Sequence, residues 1–256
     1  MAFAQLTYRE SLRNIEFCLR ALGDNLYHAG FRSKISRSTI ANANQRRDWQ
    51  IYADFEHILI RLARVLYAKD ALAVDLNQTA YALDSTTIDL CLSLFPWAGF
   101  RKTKATVKLH TLLDLRGNIP CFVRVTPGKV HDVNVLVQLL IEPAAFYVMD
   151  RAYLDHHRLR RFTTAGAFFV TRSKSNLRCA VREKRPVDRT TGLRSDHTIV
   201  LNGIKTAALY PKPLRRVEFY DTENKRRLVF LTDSFALPAL TMAGLYKSRW
   251  QIDFFK

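Results

Sequence analysis

Apolar side chains recur at two different periods along the chain, and the change falls near residue 78. Before it the spacing is helical. Leu12, Ile15, Leu19 and Leu22 recur every three or four positions, and Gly23 or Gly30 can end that segment. Ser36-Arg37-Ser38-Thr39 offers N-caps for a short second helix. Trp49, Tyr52, Phe55, Leu59, Leu62 and Leu66 then mark one face of a longer helix. From residue 79 the period is that of strands. Ala80 to Leu83 is an apolar run that ends in Asp84, and Thr106 to Asp114 alternates. Arg116-Gly117-Asn118 then turns the chain into Ile119 to Val125, a hairpin signal. His131-Asp132 begins a predicted helix through Leu140. Ala145 to Asp150 is a short buried strand, Leu154 to Thr164 a helix stopped by Gly166, and Ala167 to Thr171 another strand. Strand, hairpin, helix, strand, helix, strand is the order of an α/β ribonuclease H-like core.

Residues 172–227 break that rhythm. Short β-prone pieces (Thr198 to Leu201, Lys205 to Leu209, Val217 to Tyr220) lie between turns and prolines, with 15 Lys+Arg against 6 Asp+Glu. A structureless loop of that length is uncommon in a compact domain, so a basic β-rich insertion is the reading. Leu228 to Thr232 returns to strand, and Pro238 opens a last helix. The expected organisation is a helical N-terminal unit over 1–78 and an α/β domain over 79–256 that contains the insertion.

Charge narrows the partner class. In 256 residues there are 40 Lys+Arg and 23 Asp+Glu, a formal net charge of +17 and a pI near 10.0. Such a surplus favours a polyanion, most often nucleic acid. Arg37, Arg46 and Arg47 of the helical unit are candidates for DNA contacts. Arg182, Lys184 and Arg185 of the insertion are candidates for phosphate contacts. No stretch approaches the roughly 20 apolar residues needed to span a bilayer, and the first residues lack the regions of a signal peptide. Cys18, Cys91, Cys121 and Cys179 have no CxxC or Cys/His ligand spacing, so they read as reduced, mostly buried thiols of a cytoplasmic protein. No phosphate-binding Gly-rich loop is present, so a nucleotide is not implied.

The candidate chemistry lies in three acids. Asp84 and Asp150, 66 residues apart, each end an apolar strand pattern, where active sites of α/β folds are built. Asp253 lies on the last helix, where Tyr246, Arg249 and Asp253 are spaced three and then four positions and share one face. An Arg249–Asp253 pair at that spacing is also an ordinary helix-surface ion pair. Three convergent carboxylates suit hard divalent ions, with Mg²⁺ expected and Mn²⁺ able to substitute. Such ions activate an oxygen nucleophile and relieve charge on the leaving oxygen of a phosphodiester. His131 reads as a helix-start residue and His156-His157 as solvent-facing.

Several local motifs together resemble bacterial insertion-sequence transposases of the IS-four type, which carry a DDE catalytic core. They are Ala4-Gln5-Leu6-Thr7-Tyr8-Arg9-Glu10-Ser11-Leu12-Arg13, Ser36-Arg37-Ser38-Thr39 with Asp48-Trp49, and Asp84-Ser85-Thr86. Lys108-Leu109-His110, His131-Asp132 and Asp150-Arg151-Ala152-Tyr153 complete the set. The most specific element is the family's Tyr-x2-Arg-x3-Glu-x6-Lys signature, met by Tyr246, Arg249 and, at the glutamate position, Asp253. The resemblance implies Asp84, Asp150 and Asp253 as catalytic and metal-binding acids, with Tyr246 and Arg249 holding DNA phosphate. It implies cleavage and strand transfer at the terminal inverted repeats of an element and joining to target DNA. It also admits self-association into a dimeric synaptic complex, and a cytoplasmic, nucleoid-associated protein. Asp253 is one methylene shorter than glutamate, and the signature lysine falls beyond Lys256. The chain therefore reads as a transposase trimmed at both ends, the alternative being a catalytically impaired DNA-binding remnant.

Overall fold

The computed structural model describes residues 11–28, 30–68, 70, 72, 74–91, 93, 98–101 and 104–250. The chain divides into two compact units, Met1–Leu59 and Ile60–Lys256.

The smaller unit is helical. Ser11 caps α1 (Leu12–Ala21) by accepting from Asn14 N at 3.2 Å, and Gly23, at φ +51°, turns the chain out of it. A single turn, α2 (Asn25–His28), follows. Ser36 caps α3 (Arg37–Arg46) through Thr39 N, as its sequence position indicated. Among the described residues of this unit only Ile15 and Leu26 are buried apolar side chains. The long helix α4 (Gln50–Leu66), which runs across the division between the two units, has the expected apolar face, and none of its residues is buried.

The larger unit is built on one twisted sheet. Its strands are β1 (Ala80–Leu90), β2 (Gly99–Arg101), β3 (Lys104–Asp114), β4 (Ile119–Pro127), β5 (Phe146–Met149) and β6 (Phe168–Arg172), continued by β7 (Cys179–Arg185), β8 (Leu193–Leu201), β9 (Leu214–Asp221) and β10 (Arg226–Thr232). Strands β3 and β4 form the predicted hairpin. Its turn uses Gly117 at φ +79° and Asn118 at φ +53°, and a Cβ on Gly117 would meet Tyr67 Cβ at 2.5 Å. In order β4-β3-β1-β5-β6, the first three strands are antiparallel and β1, β5 and β6 run parallel. This is the ribonuclease H-like core. Beside β6 the same sheet continues through β10 into the insertion, an antiparallel run β9-β8-β7.

Alternation along the central strands makes two apolar layers. Tyr81, Leu83, Tyr147, Met149 and Phe169 meet Leu159 and Phe162 of α5 (His156–Thr164) on one face. Ala80, Ala82, Phe146, Val148 and Val170 meet Met242, Ala243, Leu245 and Tyr246 of α7 (Ala239–Ser248) on the other. Burial of that second face fixes the rotation of α7, and with it the direction of Tyr246 and Arg249.

Four local expectations are corrected. The strand pattern at Ala80 does not stop at Asp84, because β1 runs on to Leu90, held by backbone pairing to β3. The helix expected from His131 is a 3₁₀ run, Asp132–Gln138, and His131 makes no side-chain cap bond. Lys205 to Leu209 lies not in a strand but in a short helix, α6 (Ile204–Leu209), consistent with the helix-forming Ala207 and Ala208. Cys91 is exposed and Cys18, Cys121 and Cys179 are half-buried, so the thiols are not mostly buried. No helix among the described residues is long and apolar enough to cross a membrane.

Candidate active site

Parallel pairing between β1 and β5 ends at Leu83↔Met149, so Asp84 and Asp150 are the next residues on two neighbouring strands. Both carboxylates therefore lie at the same end of the β1–β5 pairing. Toward β3, Asp84 sits mid-strand opposite Thr111, which fixes its backbone on the other side. Asp150 starts a 3₁₀ turn (Arg151–Tyr153) but makes no side-chain cap bond to it. Its backbone carbonyl accepts from Thr171 Oγ1 at 3.2 Å, tying the strand end to β6.

Helix α7 closes over both acids. Tyr246 donates its phenol to Asp150 Oδ1 at 3.2 Å, and Arg249 Nη1 donates to Asp84 Oδ2. Tyr246 packs on Phe230 with ring centroids 5.0 Å apart, and the Arg249 guanidinium lies 5.5 Å from the Tyr246 ring centroid. Both side chains are buried. Burial pushes the Tyr246 phenol up to about 12; Asp150 adds to the rise, while Arg249 and Arg172 oppose it. It is a donor throughout the neutral range. Burial works against the Arg249 charge, but Asp84, Tyr246 and Asp150 outweigh it and its pKa is raised.

A second set of polar residues lies on β3 and in the turns beside it. His110, opposite Ser85 in the β1–β3 ladder, is fully buried, with Nδ1 3.3 Å from the Tyr153 hydroxyl and Nε2 2.9 Å from Thr126 Oγ1. Burial lowers the His110 pKa, Lys108 acting with it and Asp132 against it. Two positions along β3, Lys108 Nζ reaches Asp132 Oδ1 at 3.0 Å and Val130 O at 3.1 Å. Burial raises the Tyr153 pKa steeply, with Ser85 opposing and Asp132 and Asp84 adding. Motif residues far apart in sequence thus meet in pairs, Lys108 with Asp132 and His110 with Tyr153. The contacts of His110 and Tyr153 were not assigned from sequence. The one signal for them was the i, i+2 spacing of Lys108 and His110, which puts both on one face of β3.

Of the expected site residues, Asp84, Asp150, Tyr246 and Arg249 come together. Asp253 lies outside the described residues. Arg37 and Arg46, on α3, and Arg47, at its C-cap, are exposed in the smaller unit. Arg182 and Lys184 are exposed on the edge strand β7. Arg185 is engaged internally: it reaches Asp196 at 3.3 Å, Glu183 at 3.2 Å and Thr198 at 2.8 Å and lies 5.6 Å from the Phe235 ring centroid. His156 is half-buried, correcting its expected solvent-facing position, while His157 is exposed. Among the described residues, no group of three or more His, Cys, Asp or Glu is gathered as a metal cage.

Comparison with known proteins agrees with this geometry. The family model described as Transposase DDE domain matches residues 76–252, and a model for a domain of unknown function matches residues 1–32. The chain is similar to a Sinorhizobium fredii (strain NBRC 101917 / NGR234) protein named as a transposase, y4zB. The two are 30% identical over 219 residues, which cover 84% of this chain and 59% of that one. It is equally similar to a Geobacillus stearothermophilus protein named as the transposase for insertion sequence element IS5377, at 30% identity over 68% of this chain and 45% of that one. The chain thus spans less than two thirds of the length of either relative. The solved structure of an endonuclease V from Bacillus subtilis covers 74% of this chain and 81% of its own at 10% identity, with a TM-score of 0.31, too slight a likeness to carry weight. The match over residues 76–252 and the transposase relatives establish that this chain belongs to the insertion-sequence DDE transposases.

Proposed function

We propose that this chain carries the catalytic core of an insertion-sequence transposase that cleaves and transfers DNA strands at the ends of its own element. The observation that carries this reading is the convergence of Asp84 and Asp150, 66 positions apart in sequence, beneath Tyr246 and Arg249 of one helix. Asp84 and Asp150 supply hard carboxylate oxygens of the kind Mg²⁺ prefers, and Asp253 is the third acid of the set. Residues and ion therefore fit. When bound, divalent ions supply an activated oxygen nucleophile and charge relief on the leaving oxygen.

The protein's own groups do the positioning. Arg249 is cationic at every working pH and balances Asp84; an arriving phosphate offers the same guanidinium a second anionic partner. Tyr246, kept protonated by burial, donates to oxygen and cannot compete as an anion. Ladder pairing with β3 holds the Asp84 backbone, and pairing of Leu83 with Met149 of β5 holds the residue before it, so the position of the acid is set by the sheet. The helical unit, with Arg37, Arg46 and Arg47, reads the inverted repeats of the duplex, while Arg182 and Lys184 contact phosphate. Asp84→Ala or Asp150→Ala is expected to abolish metal-dependent nicking of a labelled element end while duplex affinity is kept. Undiminished nicking by either variant refutes the assignment.

A further inference from the structure

The chain segments that leave Asp150 and Thr171 diverge to form two walls of an open cavity of about 430 Å³, lined by Leu154, His156, Lys174, Arg178, Lys205 and others. The β5 and β6 ends are neighbours, paired Met149↔Thr171, so this cavity opens at the same end of the sheet as the acids. Its third wall comes from the insertion, where Arg178 precedes β7 and Lys205 follows β8.

The walls are held by backbone. Ser173 N donates to Val229 O at 2.8 Å, Leu177 N to Lys174 O at 3.3 Å, and Asn202 N to Arg178 O at 3.3 Å. Lys174, Arg178 and Lys205 are exposed, and none has an acidic partner within ion-pair distance among the described residues. The nearby Asp155 is already engaged: it caps α5 and pairs with Arg158 at 2.9 Å. The His156 Nε2 atom is buried without a hydrogen-bond partner. Several other cations of this sheet differ in kind: Arg185, Arg216, Arg226 and Arg227 all face carboxylates. Arg172, two residues before Lys174 at the end of β6, is close enough to act on the Tyr246 phenol.

We propose that this cavity is a phosphate subsite that holds the backbone of the DNA strand next to the one engaged at Asp84 and Asp150. Three cations without acidic partners among the described residues, on a preformed concave wall at the same end of the sheet as the acids, suit phosphate oxygens better than any apolar or cationic ligand. The contacts fix where the strand lies and carry no base information. This inference rests on the proposed DNA chemistry of the acid site.

The test is fluorescence anisotropy of a labelled duplex of arbitrary sequence, over a series of salt concentrations, with the whole chain. The triple variant Lys174→Gln/Arg178→Gln/Lys205→Gln is compared with a control triple, Arg160→Gln/Lys212→Gln/Lys225→Gln, that neutralises exposed cations outside the cavity. The cavity triple should flatten the plot of log affinity against log salt by about 2–3, near 0.9 per lost phosphate contact, and the control should change it by much less. An unchanged slope in the cavity triple, or equal flattening in both, overturns the subsite. Asp84→Ala separates the two claims: it should keep the full slope while losing cleavage. Flattening by the cavity triple alongside intact Asp84→Ala cleavage would leave the subsite standing and remove the acid-site reading.

Discussion

Arg215→Met tests how the insertion holds the signature helix. Arg215 of β9 and Asp196 of β8 are both buried, 4% exposed, and joined by two bonds, Nε to Oδ1 at 2.9 Å and Nη2 to Oδ2 at 2.6 Å. The remaining nitrogen, Nη1, donates to Leu237 O and reaches Phe235 O at 3.4 Å, in the turn that leads through Pro238 into α7. One guanidinium therefore ties two strands of the insertion to the start of the helix that carries Tyr246 and Arg249. Removing one partner of a buried ion pair costs about 3–5 kcal/mol, because the other charge stays buried and uncompensated. Here Arg185, 3.3 Å from Asp196, softens that loss, while the orphaned Leu237 carbonyl adds about 1–3 kcal/mol. Arg215→Met should thus lose about 3–5 kcal/mol, read as a shift in urea midpoint by circular dichroism. The double variant Arg215→Met/Asp196→Leu should recover much of it, since an apolar pair leaves no buried charge. The pH dependence carries the same signature. Burial alone would raise the Asp196 pKa, but Arg215 and Arg185 bring it below the usual carboxylate value. Its contribution is then complete above the unfolded pKa, about 3.9, and is lost only as pH falls through the lower folded value. In Arg215→Met burial gains weight, the folded pKa moves up toward or past the unfolded one, and the loss on acidification from this group should shrink or reverse. A single variant less than about 1 kcal/mol below wild type, with an unchanged acid limb, refutes the clamp.

Three further outcomes follow from the same geometry. Arg249→Lys keeps a cation but not the fork, and strand cleavage should fall about 10²–10³-fold while duplex affinity changes little; equal losses in both would make Arg249 a binding residue only. Gly117→Ala places a Cβ 2.5 Å from Tyr67 Cβ at φ +79° and should cost about 1–3 kcal/mol in thermal unfolding, whereas a neutral result would mean that the hairpin turn relaxes freely. His110 has its pKa lowered by burial, so the unfolded chain takes up the proton first and stability should fall as pH drops below about 6.5. His110→Gln should flatten that limb, and an identical limb in the variant would assign the loss to another group.

What could be read from the residues follows from how local each cause is. The run Ala80 to Leu83 is legible because all four side chains are buried, two on each layer. The continuation to Leu90 is not, because its side chains are mostly half-exposed or exposed, and what makes it a strand is the ladder to β3. The α6 segment misleads for the opposite reason: Ile204, Lys205 and Thr206 suggest extended backbone, yet the bonds from Ala207 N to Gly203 O and from Tyr210 N to Thr206 O close a helix. Tyr246 and Arg249 were legible as a shared helical face, but their targets were not, since the partners lie 96 and 165 positions away. Those pairings exist because Met242, Ala243, Leu245 and Tyr246 bury one side of α7 against Ala80, Ala82, Phe146 and Val148. The same burial that leaves Tyr246 facing Asp150 brings Arg249, three residues on, to Asp84. The acid site is thus a consequence of how the second apolar layer packs, and substitutions in that layer should disturb chemistry without touching an acid.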